Sequence, residues 1–272
     1  MDNSLEPLFS PRSVAVIGAS RKRGSVGSEI FHNIVRCGFR GPVYPVHPHA
    51  DSVQSVRAYP SVRDIPDPVE LAVVVVPAAQ VEAVVEECVA KGVKGIVVIS
   101  AGYAELGADG KARQQRLVAE VREAGIRMVG PNCLGLLNTD PAVSLNATFA
   151  PTWPPEGSVA FSSQSGALGL AILDYAHELG IGISEFVSVG NKADVSGNDL
   201  LEHWEHAEAT DVILLYLESF GNPRRFMEIA KRVSRKKPIV VVKSGRTEAG
   251  ARAASSHTGS LAGLDVAVDA LL

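Results

Sequence analysis

Short apolar runs alternate with amphipathic stretches through the first half of the chain. Each apolar run has the length of a strand and is bounded by turn-forming residues, whereas the stretches between them carry apolar positions at helical spacing. This alternation predicts an α/β fold, with a parallel sheet covered by helices on both faces. The predicted strands are Ser13–Gly18, Val43–Val46, Leu71–Val76, Gly95–Ile99 and Arg127–Val129.

One predicted helix shows the spacing clearly. Between Val81 and Ala90, one apolar stripe contains Val81, Val85 and Cys88. We therefore expect Cys88 in the core rather than in a reactive site. Gly92 is expected to end this helix.

The second half repeats the alternation after a proline-rich stretch. Residues 147–157 cannot continue a helix or a central strand, so we expect them to form a linker between domains 1–146 and 158–272. The second domain is predicted to be doubly wound. Its strands are expected near Val159–Ser162, Ile183–Ser188, Val212–Leu217 and Ile239–Val242, and its helices begin near Gly166, Asn198 and Pro223. Because only one more helix fits after His257, we expect a longer protein.

Composition narrows the class of protein. Apolar residues make up 46% and charged residues 21% of the chain, as in a globular protein, and the formal net charge of -4 argues against a nucleic-acid binder. The three cysteines are too few and too far apart for a disulfide framework or a zinc site, which favours a reducing cytoplasm. We expect no membrane span, because the longest apolar run, Leu71–Val76, is far too short.

A glycine-rich turn joins the first predicted strand to the first predicted helix. A helix N-terminus at the carboxyl end of a parallel strand favours phosphate. The spacing is not G-x-G-x-x-G, and His47-Pro-His49 stands where an NAD site would have an acidic residue, so a multiply phosphorylated nucleotide fits better. The alternative is a tight turn with solvated charges. The candidate contacts are Gly18, Ala19, Ser20, Arg21, Ser25, Val26, Gly27 and His49.

Loops after the third, fourth and fifth predicted strands should converge on the same sheet edge. They contain Pro77, Tyr103 and Asn132, respectively. Asn132 can hydrogen-bond a carbonyl or an amide of a ligand. No base stands beside Cys133 in the sequence to make it a nucleophile.

Polar residues also follow the strands of the second domain. Ser163, Ser165 and Gly166 precede an apolar helix and could bind phosphate, or Ser165 could simply be its N-cap. The polar stretch 190–199 is a second candidate loop. Glu218 ends a strand where a carboxylate could orient an imidazole. His203 and His206 lack a third metal ligand, so we assign them to a solvated helix face.

His257 lies among small hydroxylated residues and glycines, from Arg252 to Gly263. A core histidine would have bulky apolar neighbours, so we interpret His257 as a reactive imidazole beside an anion site. The alternative is a polar surface loop. No metal site is predicted, because Cys, Asp and Glu do not cluster near it.

Five motifs together resemble the alpha part of ADP-forming acyl-CoA (acetyl-CoA) synthetases, in the superfamily that includes succinyl-CoA synthetase. The motifs are Gly18-Ala-Ser, Gly130-Pro-Asn-Cys-Leu-Gly, Ser163-Gln-Ser-Gly-Ala-Leu, Val189-Gly-Asn-Lys-Ala-Asp and Ser256-His257-Thr-Gly-Ser-Leu-Ala-Gly. The resemblance covers nearly the whole chain. It implies a Rossmann-like CoA-binding domain followed by a flavodoxin-like, doubly wound ligase domain.

The resemblance also implies roles for residues. The turn from Gly18 to Gly27 would hold the phosphates of coenzyme A, Ser163, Ser165 and Gly166 would bind phosphate, and His257 would become phosphohistidine, oriented by Glu218. The implied substrates are an acyl-CoA, phosphate and a carboxylic acid, and Tyr103, Asn132 and Cys133 would line the acyl end.

ADP or ATP with Mg would bind only through an ATP-grasp domain or subunit, because the chain has neither that module nor a G-x-x-x-x-G-K-[ST] loop. An oligomer is expected. A different class of function is an acyl-CoA-sensing module of a fused protein lysine acetyltransferase. A NAD-linked enzyme is the third alternative.

Overall fold

The computed structural model describes residues 4–244 of the chain. The first half forms a five-stranded parallel sheet with the strand order β2-β1-β5-β6-β7. Its elements are α1 (Glu6–Phe9), β1 (Val14–Ile17), α2 (Val26–Arg36), β2 (Val43–Val46), β3 (Ser52–Val53), β4 (Val56–Arg57), β5 (Leu71–Val74), α3 (Ala78–Lys91), β6 (Gly95–Val98), α4 (Ala108–Glu123) and β7 (Arg127–Val129). The predicted strands are therefore confirmed to within a few residues at their ends.

Alternate residues of β1 face two different hydrophobic clusters. Val14 and Val16 pack in the cluster that contains Phe31 of α2, whereas Ala15 and Ile17 pack in the cluster of α3 and α4. This is the two-sided burial expected of a parallel sheet. Cys88 is fully buried in the second cluster, as predicted. Gly92 ends α3 with a φ of 78°, in the left-handed region that glycine adopts readily.

The second half forms a six-stranded sheet with the strand order β13-β12-β10-β11-β8-β9. Strands β10 to β13 are parallel, and helices connect them. Its elements are β8 (Gly135–Asn138), β9 (Leu145–Thr148), β10 (Glu156–Ser163), α5 (Gly166–Glu178), β11 (Ile183–Ser188), α6 (Gly197–His206), β12 (Val212–Leu217), α7 (Pro223–Val233) and β13 (Ile239–Lys243). The doubly wound pattern predicted from the sequence is present in this half.

Two strands were not predicted from the sequence. Strands β8 and β9 pair antiparallel and extend the second sheet through β11. All eight of their residues are buried, so they lack the alternation that marks a half-exposed strand. The expected linker, residues 147–157, thus begins inside β9 and ends inside β10. The domain limits 1–146 and 158–272 remain a prediction.

The two sheets are joined by a shared core. One hydrophobic cluster contains both Phe31 of α2 and Trp204 of α6. Polar contacts cross as well: Asn33 Nδ2 donates to the carbonyl oxygens of Thr148 (2.9 Å) and Ala150 (2.8 Å). The two halves of the structure therefore pack directly against each other.

The prediction of a solvated histidine face on α6 is wrong for His203. Its ring stacks on Phe9 with centroids 5.0 Å apart, and Nε2 lies 3.1 Å from Glu185 Oε2. Phe9 belongs to the short helix α1, and the His203 side chain is only 22% exposed. His206, with a side chain 74% exposed, does face solvent.

Candidate active site

A cleft of about 900 Å³ opens where the carboxyl ends of the parallel strands of the two sheets approach each other. Its walls come from loops that follow strands: Asn132 and Cys133 after β7, Ser165 after β10, Lys192 after β11 and Glu218 after β12. In open α/β sheets, ligands bind beyond the carboxyl ends of the strands. The volume is in the range of cavities that enclose small ligands.

The glycine-rich turn after β1 is closed by two tight backbone contacts. Gly18 has a φ of 96°, and a Cβ there would lie 2.5 Å from the carbonyl oxygen of Val75. A Cβ on Gly27, in the first turn of α2, would lie 2.1 Å from the carbonyl oxygen of Gly18. Only glycine fits at both positions, so the turn holds the N-terminus of α2 directly against the end of β1.

Hydrogen bonds inside this turn leave the start of α2 without a side-chain cap. Ser25 Oγ donates to the carbonyl oxygen of Lys22 (2.7 Å), and Ser20 Oγ accepts from the N–H of Lys22 (3.1 Å). Arg21 is exposed, whereas the Ala19 side chain is fully buried, so Ala19 can offer a ligand only its backbone. The uncapped helix start beside exposed cations suits an anion.

Of the residues predicted to contact the nucleotide, only Val26 and Asn132 line the cleft. Pro77 and His49 are exposed outside it. The N–H of His49 donates to Nδ1 of His47 (3.1 Å). Apart from Val26, the turn therefore lies beside the cleft rather than in its walls, as do Pro77 and His49.

The three residues predicted to bind phosphate differ in position and in hydrogen bonding. Ser163 is fully buried at the end of β10, and its Oγ donates to the carbonyl oxygen of Ser165 (2.6 Å). Ser165 Oγ accepts from the N–H of Leu168 (3.3 Å) and is the N-cap of α5. Ser165 and Gly166 line the cleft, whereas Ser163 does not. The Ser163 hydroxyl thus shapes the turn, and the start of α5 faces the cleft.

Gln164 connects the ends of β10 and β12 by hydrogen bonds, which were not predicted from the sequence. Its Oε1 accepts from the N–H groups of Glu218 (2.8 Å) and Ser219 (2.9 Å), and its Nε2 donates to the carbonyl oxygen of Ser219 (2.7 Å). These bonds fix the Glu218 backbone next to the start of α5. The only sequence signal was a long amide side chain inside a motif of small residues.

The loop after β11 was predicted as a candidate, but not its individual contacts. Asn191 Nδ2 donates to Glu105 Oε2 (2.6 Å) and Gln114 Oε1 (2.9 Å) across the cleft, and Asn132 Nδ2 donates to Asn191 Oδ1 (3.3 Å). Burial alone would raise the pKa of Glu105, but hydrogen bonds from Asn191 and from backbone N–H groups outweigh it, and the pKa is lowered. Glu105 therefore stays ionised, and its hydrogen bond with Asn191 links the loop after β11 to the first domain.

Cys133 and Tyr103, both expected at the acyl end, differ in whether they reach the cleft. Cys133 lines the cleft, but burial raises the pKa of its thiol to about 12, so thiolate is scarce near neutral pH. Tyr103 is fully buried and does not line the cleft, which corrects its predicted place in the pocket. Its ring packs in the hydrophobic cluster of α3 and α4, and Arg113 Cζ lies 5.2 Å from the ring centroid.

Glu218 lines the cleft, as its position at the end of β12 predicted. His257 and the stretch around it lie outside the residues that the structure describes.

No helix within residues 4–244 combines the length and apolar character of a membrane span. In the same range, His, Cys, Asp and Glu side chains form no group of three or more that could hold a metal ion.

Two protein families match the chain. Residues 12–139 match the CoA binding domain, and residues 156–272 match the succinyl-CoA ligase like flavodoxin domain. The two matched segments correspond to the two sheets, except that strands β8 and β9 fall at or between their limits.

Similar proteins are named as ADP-forming ligases. The alpha subunit of acetate–CoA ligase [ADP-forming] I from Pyrococcus furiosus is 51% identical over 96% of this chain and 57% of the relative. The 4-hydroxybutyrate–CoA ligase [ADP-forming] of Nitrosopumilus maritimus is 45% identical over 98% of this chain and 38% of the relative. The chain thus spans only part of these relatives' length.

A solved structure is also similar. The dinucleotide-forming acetyl-coenzyme A synthetase 1 of Ca. Korarchaeum cryptofilum, in complex with phosphate and ADP, superposes with a TM-score of 0.94 at 46% identity. The match covers 99% of this chain and 57% of that chain. At this similarity both domains have the same arrangement in the two proteins.

Proposed function

Since the chain belongs to the family of ADP-forming acyl-CoA synthetases, we propose that it is the CoA-binding and phosphoryl-carrying part of such an enzyme. The complete enzyme would convert acyl-CoA, phosphate and ADP reversibly into a carboxylic acid, CoA and ATP. ADP and Mg would bind through an ATP-grasp domain or subunit, which is the partner that we propose. A cytoplasmic location belongs to the same proposal, because ATP and CoA are cytoplasmic substrates. An oligomeric assembly is also part of it.

One observation carries the proposal: a single cleft collects polar groups from both domains. Asn132 comes from the CoA-binding domain, and Ser165, Gly166 and Glu218 come from the ligase domain. A thioester held by the first domain would therefore lie near a phosphate at the start of α5. Proximity of this kind accelerates a reaction between two bound substrates.

The proposed chemistry proceeds in three transfers. An oxygen of phosphate attacks the thioester carbonyl, so that a C–O bond forms, the C–S bond breaks and CoA leaves as a thiol. The imidazole of His257 then attacks phosphorus, and the carboxylate leaves. The phosphoryl group passes from His257 to ADP on the partner. Each covalent intermediate divides a difficult exchange into easier steps.

The residues of this chain would assist at defined points. Backbone N–H groups at Gly166 and the following residue would stabilise the negative charge of the transferred group, with Ser165 holding the start of the helix. Glu218, fixed through its backbone by Gln164, would hold one nitrogen of His257 and favour the charged ring. The turn from Gly18 to Gly27, with Arg21, would bind the phosphates of CoA.

Phosphoryl labelling tests the proposal. The chain is incubated with its ATP-grasp partner and labelled ATP, and acid-labile, base-stable label is measured in the wild type and in His257→Ala. We expect label in the wild type and none in the variant. His206→Ala is the matched control, because that histidine is exposed on α6 and should keep full labelling. Equal labelling of wild type and His257→Ala would refute the relay.

The acyl group is open to direct measurement. The relatives are named for acetate and 4-hydroxybutyrate, so a screen of short carboxylic acids and their CoA thioesters is the natural starting point. The alternative, an acyl-CoA sensor of a protein acetyltransferase, draws no support from these relatives, which are named as ligases. Binding of acyl-CoA without any labelled His257 would favour it.

A further inference from the structure

Lys192 enters the cleft from a loop that is held on both sides. Next to it, Asn191 is bonded to Glu105 and Gln114 of the first domain. Two residues later, Asp194 accepts from Arg122 Nε (2.9 Å), Arg127 Nε (2.9 Å) and the N–H of Met128 (2.8 Å). The loop therefore cannot move without breaking buried charged contacts, and the position of Lys192 is fixed.

The ammonium group of Lys192 has an incomplete set of partners. Nζ donates to the carbonyl oxygen (2.7 Å) and to Oγ (2.5 Å) of Ser219. An ammonium group has three N–H donors, and within residues 4–244 the third has no acceptor and no carboxylate lies within 4.0 Å of Nζ. A part-buried cation with no carboxylate in direct contact is unfavourable, so the site favours an anionic ligand.

The location of Nζ relates it to the predicted phosphate site. The carbonyl oxygen of Ser219 accepts from Lys192 Nζ and from Gln164 Nε2, each at 2.7 Å, so the two nitrogens are separated by no more than twice that distance. Gln164 directly precedes Ser165 and Gly166 at the start of α5, and Lys192, Ser165 and Gly166 all line the cleft. One anion could thus contact both the ammonium group and the start of the helix.

The surroundings also disturb the acid–base behaviour of the amine. Burial lowers the pKa of Lys192 to about 8, Glu218 opposes this shift and Lys243 adds to it. Glu105, from the opposite domain, lines the same cleft and stays ionised. An incoming anion would restore the balance of charge around the amine.

We propose that Lys192 is the cation that binds the phosphate and the acyl phosphate of the reaction, and that it selects a phosphate over a neutral or singly charged ligand in the cleft. This role rests on the proposed function. A compact ammonium group with three donors is a common phosphate ligand in proteins. The residue is a binding residue for the transferred group and leaves CoA recognition to the first domain.

Steady-state kinetics of the complete enzyme with Lys192→Met tests the proposal. We expect the KM for inorganic phosphate to rise about 10- to 100-fold, the range for losing a hydrogen bond to a charged group, while the KM for acyl-CoA changes less than about twofold. Lys192→Arg should recover most of the affinity for phosphate. Lys231→Met, at an exposed lysine of α7, is the matched control and should behave as the wild type.

The pH dependence separates a charge effect from a structural one. Above pH 8 inorganic phosphate is already largely dianionic, whereas Lys192 loses its proton. The KM of the wild type for phosphate should therefore rise by up to about tenfold per pH unit above about pH 8. In Lys192→Arg the rise should disappear from this range, because a guanidinium group stays charged.

The outcomes decide between the two proposals. An unchanged KM for phosphate in Lys192→Met, or a pH profile shared by the wild type and Lys192→Arg, would overturn the role of Lys192 while the synthetase activity stands. If the wild-type enzyme makes no ATP, the proposed function fails, and calorimetry with inorganic phosphate on wild type and Lys192→Met then tests Lys192 alone. Equal phosphate affinity of these two proteins would overturn it.

Discussion

Replacing Gly27 with alanine tests whether the turn after β1 must be closed to bind coenzyme A. Gly27 lies in the first turn of α2, and its Cα faces the carbonyl group of Gly18. A Cβ would lie 2.1 Å from that oxygen and 3.0 Å from its carbon. Both atoms belong to the backbone, so no side chain can rotate away, and α2 must move from the end of β1.

The energetic effect follows from two opposing terms. Overpacking of this kind costs up to about 3 kcal/mol, since the contact is far shorter than van der Waals distance. Alanine is about 1 kcal/mol better than glycine inside a helix. We therefore expect the free energy of unfolding to fall by about 2 kcal/mol. The affinity for CoA should fall more than tenfold, because the displaced N–H groups at the start of α2 no longer face the ligand.

Gly38→Ala is the matched control at the other end of the same helix. Gly38 has a φ of 78°, and a Cβ there would meet no atom within 4 Å. Its replacement should cost about 1 kcal/mol of backbone strain and leave the affinity for CoA within about twofold. Urea unfolding and calorimetry with CoA measure both effects. Wild-type CoA affinity in Gly27→Ala would refute the idea that the turn holds CoA phosphates.

Two further changes test the walls of the cleft. Asp194→Asn should lower the free energy of unfolding by about 2 to 4 kcal/mol in urea, because buried arginine contacts lose their counter-charge, whereas Asp211→Asn at an exposed carboxylate should cost less than about 0.5 kcal/mol. Cys133→Ala should keep full activity, and the wild-type thiol should react slowly with iodoacetamide below about pH 9, because burial raises its pKa to about 12. Loss of activity in Cys133→Ala would assign chemistry to the thiol.

The sequence was most informative where an apolar run extends over a whole strand. The strand at Val212–Leu217 was predicted with its observed limits, because an apolar run between polar turns has one simple explanation. Strands β8 and β9 were missed, since Gly135–Asn138 has only two apolar side chains, Leu136 and Leu137, and no local pattern separates it from a loop. Their pairing depends on β11, which lies far along the chain.

The candidate site was also predictable only in part. Polar loops after strands could be located from the sequence, because every strand end was marked by glycine, proline or serine. The partners of individual side chains could not be located. Lys192 meets Ser219 across 27 residues of sequence, and Gln164 meets Glu218 across 54. His203 was misassigned for the same reason, because its neighbour Phe9 belongs to the first helix of the chain.

The loop after β11 has a consequence for how the two domains cooperate. Asn191 and Asp194 attach this loop to the first domain, whereas Lys192, between them, bonds to Ser219 of the second domain. A shift of the first domain on binding a thioester would therefore be transmitted to the ammonium group through a short, fixed segment. On this reasoning, Asp194→Asn should also raise the KM for phosphate, although Asp194 does not line the cleft. An unchanged KM in a destabilised Asp194→Asn enzyme would show that the second domain alone positions Lys192.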